Sequence, residues 1–233
     1  MATRRFLSYP RHARASSGPV LAALALMATS ASAQVELDEL PDDLSVHKHD
    51  GFYFSAALGG SYLWSSVGAD PDPGGASSRV TGLGLASHAL VGGTPGPGWV
   101  IGGGTMNTLI PKASVKSDGQ KLFDDRLVLA TLGVFSTYYF EPRHGLHVLG
   151  HLGAAVMDLG REDLGDAPLA LGFAAAAGIG YDWWIGQQWS LGVLGRLQYA
   201  RTSATIDPLP GLPETTVTYN LVLPAIAASL TYH

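Results

Sequence analysis

Between Gly51 and Trp64 the chain reads Gly-Phe-Tyr-Phe-Ser-Ala-Ala-Leu-Gly-Gly-Ser-Tyr-Leu-Trp. Every second residue from Phe52 (Phe52, Phe54, Ala56, Leu58, Gly60, Tyr62, Trp64) is apolar, with aromatics at both ends, while Gly51, Tyr53, Ser55, Ala57, Gly59 and Ser61 are small or polar. Successive side chains of a strand point to opposite faces, so one face is apolar and banded by aromatics. That pattern predicts a transmembrane β-strand with its apolar face to lipid and its small, polar face to a barrel lumen. A strand in hydrocarbon must have its backbone groups paired on both sides, which requires a closed sheet.

The start of the chain fits export. Arg4, Arg5, Arg11 and Arg14 precede an apolar run from Val20 to Met27, followed by Ala31-Ser32-Ala33. Residues 1–33 therefore read as a secretory signal peptide cleaved after Ala33, its apolar run being too short to span a bilayer as a helix. Residues 34–50 are acidic and Pro-interrupted, which predicts a flexible periplasmic lead-in to a barrel over residues 51–233. Loss of the four leader arginines leaves ten Lys and Arg against 19 Asp and Glu, a balance that argues against a nucleic-acid partner. The chain has no cysteine, so disulfides and thiol chemistry are excluded. Its 30 glycines and 14% charged residues suit a closed sheet better than a water-facing surface.

Seven further alternating segments follow. The second runs over residues 81–91, the third from Trp99 to about Leu109, the fourth over 128–140, the fifth over 146–156, the sixth over 171–183, the seventh over 189–199 and the last over 222–232. Three glycines, Gly102, Gly103 and Gly104, blur both parities of the third, whose facing stays open; Pro224 in the last suggests a bulge. Short links at 94–98, 141–145 and 184–188 alternate with longer ones at about 65–78, 111–125, 158–168 and 203–216. Tight periplasmic turns, longer external loops and an even strand number put both termini on the periplasmic side. The predicted fold is all-β: an eight-stranded antiparallel up-and-down transmembrane β-barrel. On the apolar parities the only arginines are Arg79 and Arg201, both at external strand ends, where a charge costs about 0–1 kcal/mol against about 2–4 kcal/mol at the midplane.

The leader, the eight segments and the closing Leu230-Thr231-Tyr232-His233 resemble the small outer-membrane β-barrel proteins of Gram-negative bacteria, the OmpA-like and opacity-protein-like group. The resemblance covers residues 51–233 as architecture. It implies residence in the bacterial outer membrane, contact with its lipid and lipopolysaccharide, and passage through the barrel-assembly machinery. The group contains anchors, adhesins and a few lipid-modifying enzymes, so it does not by itself select a function.

The interior of eight strands is wide enough only for side chains to fill it, which disfavours a general pore. The expected lumen set is Tyr53, Ser55, His88, His151, Arg196 and Gln198, read as a structural polar network that stabilises the barrel. Arg196 is expected to find partners among His88, His151, Gln198, hydroxyls and water, and Asp182 to face the periplasmic mouth, bound to turn amides or water. No catalytic residue, cofactor or metal ligand is assigned: His88 and His151 lack a third ligand, and His47-x-His49 lies in the lead-in. Acidic residues in the external links, Asp70 to Glu214, read as a solvated rim. The expected function is non-enzymatic, a structural or surface-interaction role through the extracellular loops. The alternatives are a lipid-modifying outer-membrane enzyme and a soluble lipocalin-like periplasmic carrier, which would need its apolar set inside.

Overall fold

In the computed structural model, residues 51–70, 78–117, 120–141, 143–160, 169–206 and 215–233 are described. The expected signal peptide and lead-in, and most residues of the expected acidic rim, lie outside them. The described residues all belong to one compact unit, Asp42–His233.

Eight strands follow one another: β1 Phe52–Asp70, β2 Ser78–Gly96, β3 Trp99–Ser117, β4 Gln120–Tyr139, β5 Leu146–Gly160, β6 Ala170–Trp184, β7 Trp189–Ile206 and β8 Thr215–Tyr232. Each pairs with its chain neighbour and β8 closes on β1, giving a closed antiparallel barrel. Gly51 and His233 lie at the end that carries the short turns, where Thr94 N donates to Gly51 O at 3.0 Å and His233 N to Gln188 O at 2.9 Å. This is called the turn end and the opposite end the loop end. The β2–β3 turn is the pair Pro97-Gly98, and Gly98 takes the left-handed φ of +71° that the second turn position demands.

The strands outrun the apolar alternation. Residues 65–70, 111–117 and 120–125, expected in loops, are strand, and only 118–119 separate β3 from β4. Apolar alternation marks the length of strand that meets an apolar solvent; beyond it the backbone goes on pairing while the side chains turn polar. The facing of β3 is resolved: Val100, Met106, Thr108 and Ile110 point inward, while Trp99, Ile101 and Leu109 are exposed. A register shift between Ile110 and Ala113 then brings Ala113 inward, so the inward parity changes within the strand. Pro224 makes no bulge. Its register partner on β7 is Leu197, and the β1–β8 register is the same on both sides of it, Ser61 opposite Ala225 and Trp64 opposite Val222; only the two pairs between them are missing. A proline has no N–H to donate to the ladder, so one side of it loses pairing without a shift.

The outer surface is apolar. Leu83 is 74% exposed, Ile226 70% and Leu132 66%. Aromatic rings form a girdle at the turn end, where Tyr138–Phe140, Tyr181–Trp183 and Trp189–Tyr232 centroids lie 5.8, 5.0 and 5.2 Å apart. A second group toward the loop end holds Tyr62–Trp64 at 4.8 Å and Phe173–Tyr199 at 6.2 Å.

The interior is packed rather than small and polar throughout. Leu63, Val80, Ile110, Leu127, Leu129, Met157, Leu221 and Leu223 form an apolar cluster in the loop-ward half. Leu90, Val100, Met106, Phe135, Leu149 and Leu194 form another, toward the turn end, around Tyr53 and Tyr139. Room for these side chains comes partly from an inward glycine row in register on three strands, Gly104 opposite Gly133 and Gly133 opposite Gly153. A Cβ on Gly133 would meet Leu152 O at 2.1 Å and Gly153 Cα at 2.4 Å.

Candidate functional site

The polar side chains of the interior gather at the turn end. Tyr139 on β4, His147 on β5, Asp182 on β6 and Ser229 on β8 are all inward and buried. Tyr139 Oη donates to Asp182 Oδ2 at 2.8 Å and Ser229 Oγ to Asp182 Oδ1 at 3.5 Å. His147 Nδ1 lies 3.6 Å from Asp182 Oδ2 and 2.9 Å from the carbonyl oxygen of Gly145. A carbonyl can only accept, so Nδ1 carries the proton. Asp182 therefore does not face the mouth bound to turn amides; side chains from three other strands enclose it. The reason is register. Simple hairpin pairing sets Asp182 opposite Ser190, but Trp184 occupies that place and Asp182 pairs with Gly192. The turn is tighter than the spacing suggests: the amides of Ile185 and Gly186 both reach Trp189 O, at 2.9 and 3.2 Å.

His233 fills the centre of the turn end. Its Nε2 lies 2.9 Å from Ser190 Oγ, and its ring sits 4.8 Å from Trp184, 5.7 Å from Tyr139 and 5.8 Å from Tyr53. One step inward, Ser55 Oγ meets His88 Nε2 at 3.3 Å and Thr231 Oγ1 at 3.1 Å. Between these two tiers is a cavity of about 10 Å³, bordered by Tyr53, Ser55, His147, Asp182 and Ser229 among others, which is the room of a single water.

The six side chains expected as one lumen network are all buried in the interior, but they divide. Ser55 and His88 are joined. Tyr53 packs on Phe135 at 5.7 Å and on His233. His151 Nε2 reaches the Gly104 carbonyl at 3.5 Å. Arg196 crosses the lumen from β7 and donates through its two terminal nitrogens to the backbone carbonyls of Ser87, at 3.4 Å, and Asn107, at 3.3 Å. Its partners are therefore main-chain oxygens rather than the histidines, Gln198 or hydroxyls. Neither amide atom of Gln198 has a hydrogen-bond partner among the described residues. The Tyr139–Asp182–His147 group and the seat of His233 were not anticipated. The inward parity of each residue was readable, but not the register that brings them together.

These contacts bear on catalysis. Nucleophilic hydrolysis needs a hydroxyl on one imidazole nitrogen and an orienting acid on the other. The Ser55–His88 pair lacks the acid, since His88 Nδ1 is buried without a partner among the described residues. Ser229 bonds the carboxylate itself rather than His147. Both hydroxyl–imidazole pairs, Ser55–His88 and Ser190–His233, are buried, and the first borders the cavity of about 10 Å³. Among the described residues no three His, Cys, Asp or Glu side chains are grouped to hold a metal ion.

No protein-family profile and no curated protein matches the chain. Solved structures do. The outer membrane protein OprG from Pseudomonas aeruginosa is 16% identical, with 81% of this chain and 99% of that chain covered at a TM-score of 0.52. Neisserial surface protein A, NspA, is 11% identical, with 78% and 96% covered at a TM-score of 0.46. At such identities the likeness to OprG extends to the fold and no further. The chain thus has the architecture of the small eight-stranded transmembrane barrels.

Proposed function

We propose that this chain is a non-enzymatic, non-conducting barrel of the bacterial outer membrane, with both termini on the periplasmic side and with its surface interactions made at the loop end. The apolar wall between two aromatic groups supports the membrane: such a surface is poorly solvated by water and matched by hydrocarbon. The observation that carries the function is the solid interior. Leu63, Ile110, Leu129 and Leu221 are fully buried in the lumen, where a water channel would leave them wet. Leu90, Met106, Phe135 and Leu149 fill the interior where a lipocalin-like carrier would hold its ligand, which disfavours that reading. The buried hydroxyl–imidazole pairs, out of reach of a lipid, disfavour a lipid-modifying enzyme.

Recording across a planar bilayer tests the reading. The refolded protein is expected to leave the lipid baseline unchanged over a range of voltages, and a steady unitary conductance would overturn the packed-lumen account.

A further inference from the structure

The outer wall of β2 and β3 carries cations where most of the barrel is apolar. Arg79 on β2 and Lys116 on β3 are Cα partners, and both are exposed, as is Lys112, four residues from Lys116 on the same strand. Residues paired across two antiparallel strands share a face. Lys121 on β4 is in turn the Cα partner of Lys116. Four of the ten Lys and Arg between residues 34 and 233 thus fall on three adjacent strand ends. Arg79, Lys112 and Lys116 have no ion-pair partner among the described residues. Among the described residues paired with this outward row of β3, the acidic one is Asp124, the Cα partner of Ser114.

Height decides what the row meets. Trp64 is the register partner of Thr81, and its ring packs with Tyr62. Aromatic rings on a transmembrane barrel mark the boundary between headgroups and hydrocarbon. Arg79 lies two residues beyond Thr81 toward the loop end, roughly 7 Å along the strand. On the other side, Leu83 and Leu85 are exposed on the same parity. Lys112 stands at the register shift near Gly82 and Leu83, from where its chain can rise along the wall to the headgroups. One vertical strip therefore offers leucines, a tryptophan and then paired cations.

We propose that this strip binds a phosphorylated lipid of the loop-end leaflet, with Arg79, Lys112 and Lys116 on its phosphates and Trp64, Leu83 and Leu85 against its acyl chains. The site rests on the outer-membrane reading above. Each cation near an anionic surface strengthens binding roughly fivefold, which sets the scale of the test.

The probe is lipid A carrying two phosphates, titrated into the barrel held in phosphatidylcholine nanodiscs, with binding read from Trp fluorescence and native mass spectrometry. The double variant Arg79→Gln/Lys116→Gln is expected to bind roughly 30-fold more weakly, about 2 kcal/mol at 1.4 kcal/mol per tenfold. Arg201→Gln removes the same charge from β7, on another part of the wall, and is expected to bind as the unsubstituted protein does. Dephosphorylated lipid A should bind the unsubstituted protein as weakly as lipid A binds the double variant, and millimolar inorganic phosphate should not displace the lipid. Unchanged affinity in the double variant, or equal loss in Arg201→Gln, overturns the site. Full displacement by inorganic phosphate overturns the lipid as its ligand. A barrel that fails to enter lipid at all overturns the membrane reading and the site with it.

Discussion

The hydroxyl of Tyr139 on β4 donates a 2.8 Å hydrogen bond to the carboxylate of Asp182 on β6, skipping over the strand between them. Both residues are buried, and the bond passes over β5 beside His147. Such bonds to a charged acceptor are worth about 1.5–3 kcal/mol when the acceptor stays buried. Tyr139→Phe is therefore expected to lower stability to urea in detergent by about that amount. Asp182→Asn should cost less in the Tyr139→Phe background than alone, because the Tyr139 bond is already gone and only the contacts with Ser229 and His147 remain to be weakened. Additive losses in that double-mutant cycle would show that the two side chains act separately.

Arg196 has a different balance. Its charge is buried, its two bonds to main-chain oxygens are long, and no carboxylate forms an ion pair with it among the described residues. Replacing a buried charge by an apolar side chain of similar length is often neutral or stabilising. Arg196→Met is expected to fold with unchanged or greater resistance to urea, by up to about 2 kcal/mol. A loss of more than about 1 kcal/mol would mean that the guanidinium holds the barrel together.

The glycine row gives a steric prediction. A Cβ on Gly133 would approach backbone atoms of β5 far inside van der Waals contact. Overpacking of this kind typically costs about 1–3 kcal/mol. Gly133→Val should lower the urea midpoint accordingly, whereas Gly150→Val, at an outward position where a Cβ meets nothing within 4 Å, should leave it unchanged. Equal effects at the two positions would remove the steric account.

What the amino acids disclose and what they conceal follow from the same geometry. The facing of β1, β6 and β7 is readable because Phe54, Leu58, Phe173, Ile179, Leu191 and Val193 alternate with small or polar residues. That of β3 is not, because glycine occupies both parities at residues 102–104. The apolar loop-ward interior was hidden as well. Leu127, Leu129 and Met157 lie on inward parities but are as apolar as the wall, and hydropathy does not tell a packed lumen from lipid. Asp182 lost its partners to a two-residue difference in the β6–β7 register, which depends on how tightly the turn at 185–188 closes. Polar strand ends such as 111–116 read as loop because charge and proline signal the end of the apolar span, although the backbone goes on pairing there.

Pro224 interrupts pairing on its β1 side only. Pro224→Ala would supply the missing N–H toward Tyr62 and Leu63. The variant is expected to gain about 1 kcal/mol and to slow amide exchange along that stretch of β1. Unchanged exchange there would place the gap's cause elsewhere in the strand.

The account rests on which parity meets hydrocarbon, and cysteine-attached spin labels measure that directly. Labels at Leu58, Leu132, Ile179 and Val193 in the protein reconstituted into lipid should be accessible to dissolved oxygen and shielded from a water-soluble nickel chelate. Labels at Ser55, Leu129 and Gln198 should be immobilised and shielded from both. If the second set is instead open to the chelate, the lumen is a water channel; if the first set is open to it, the wall faces water and the barrel is not a membrane protein.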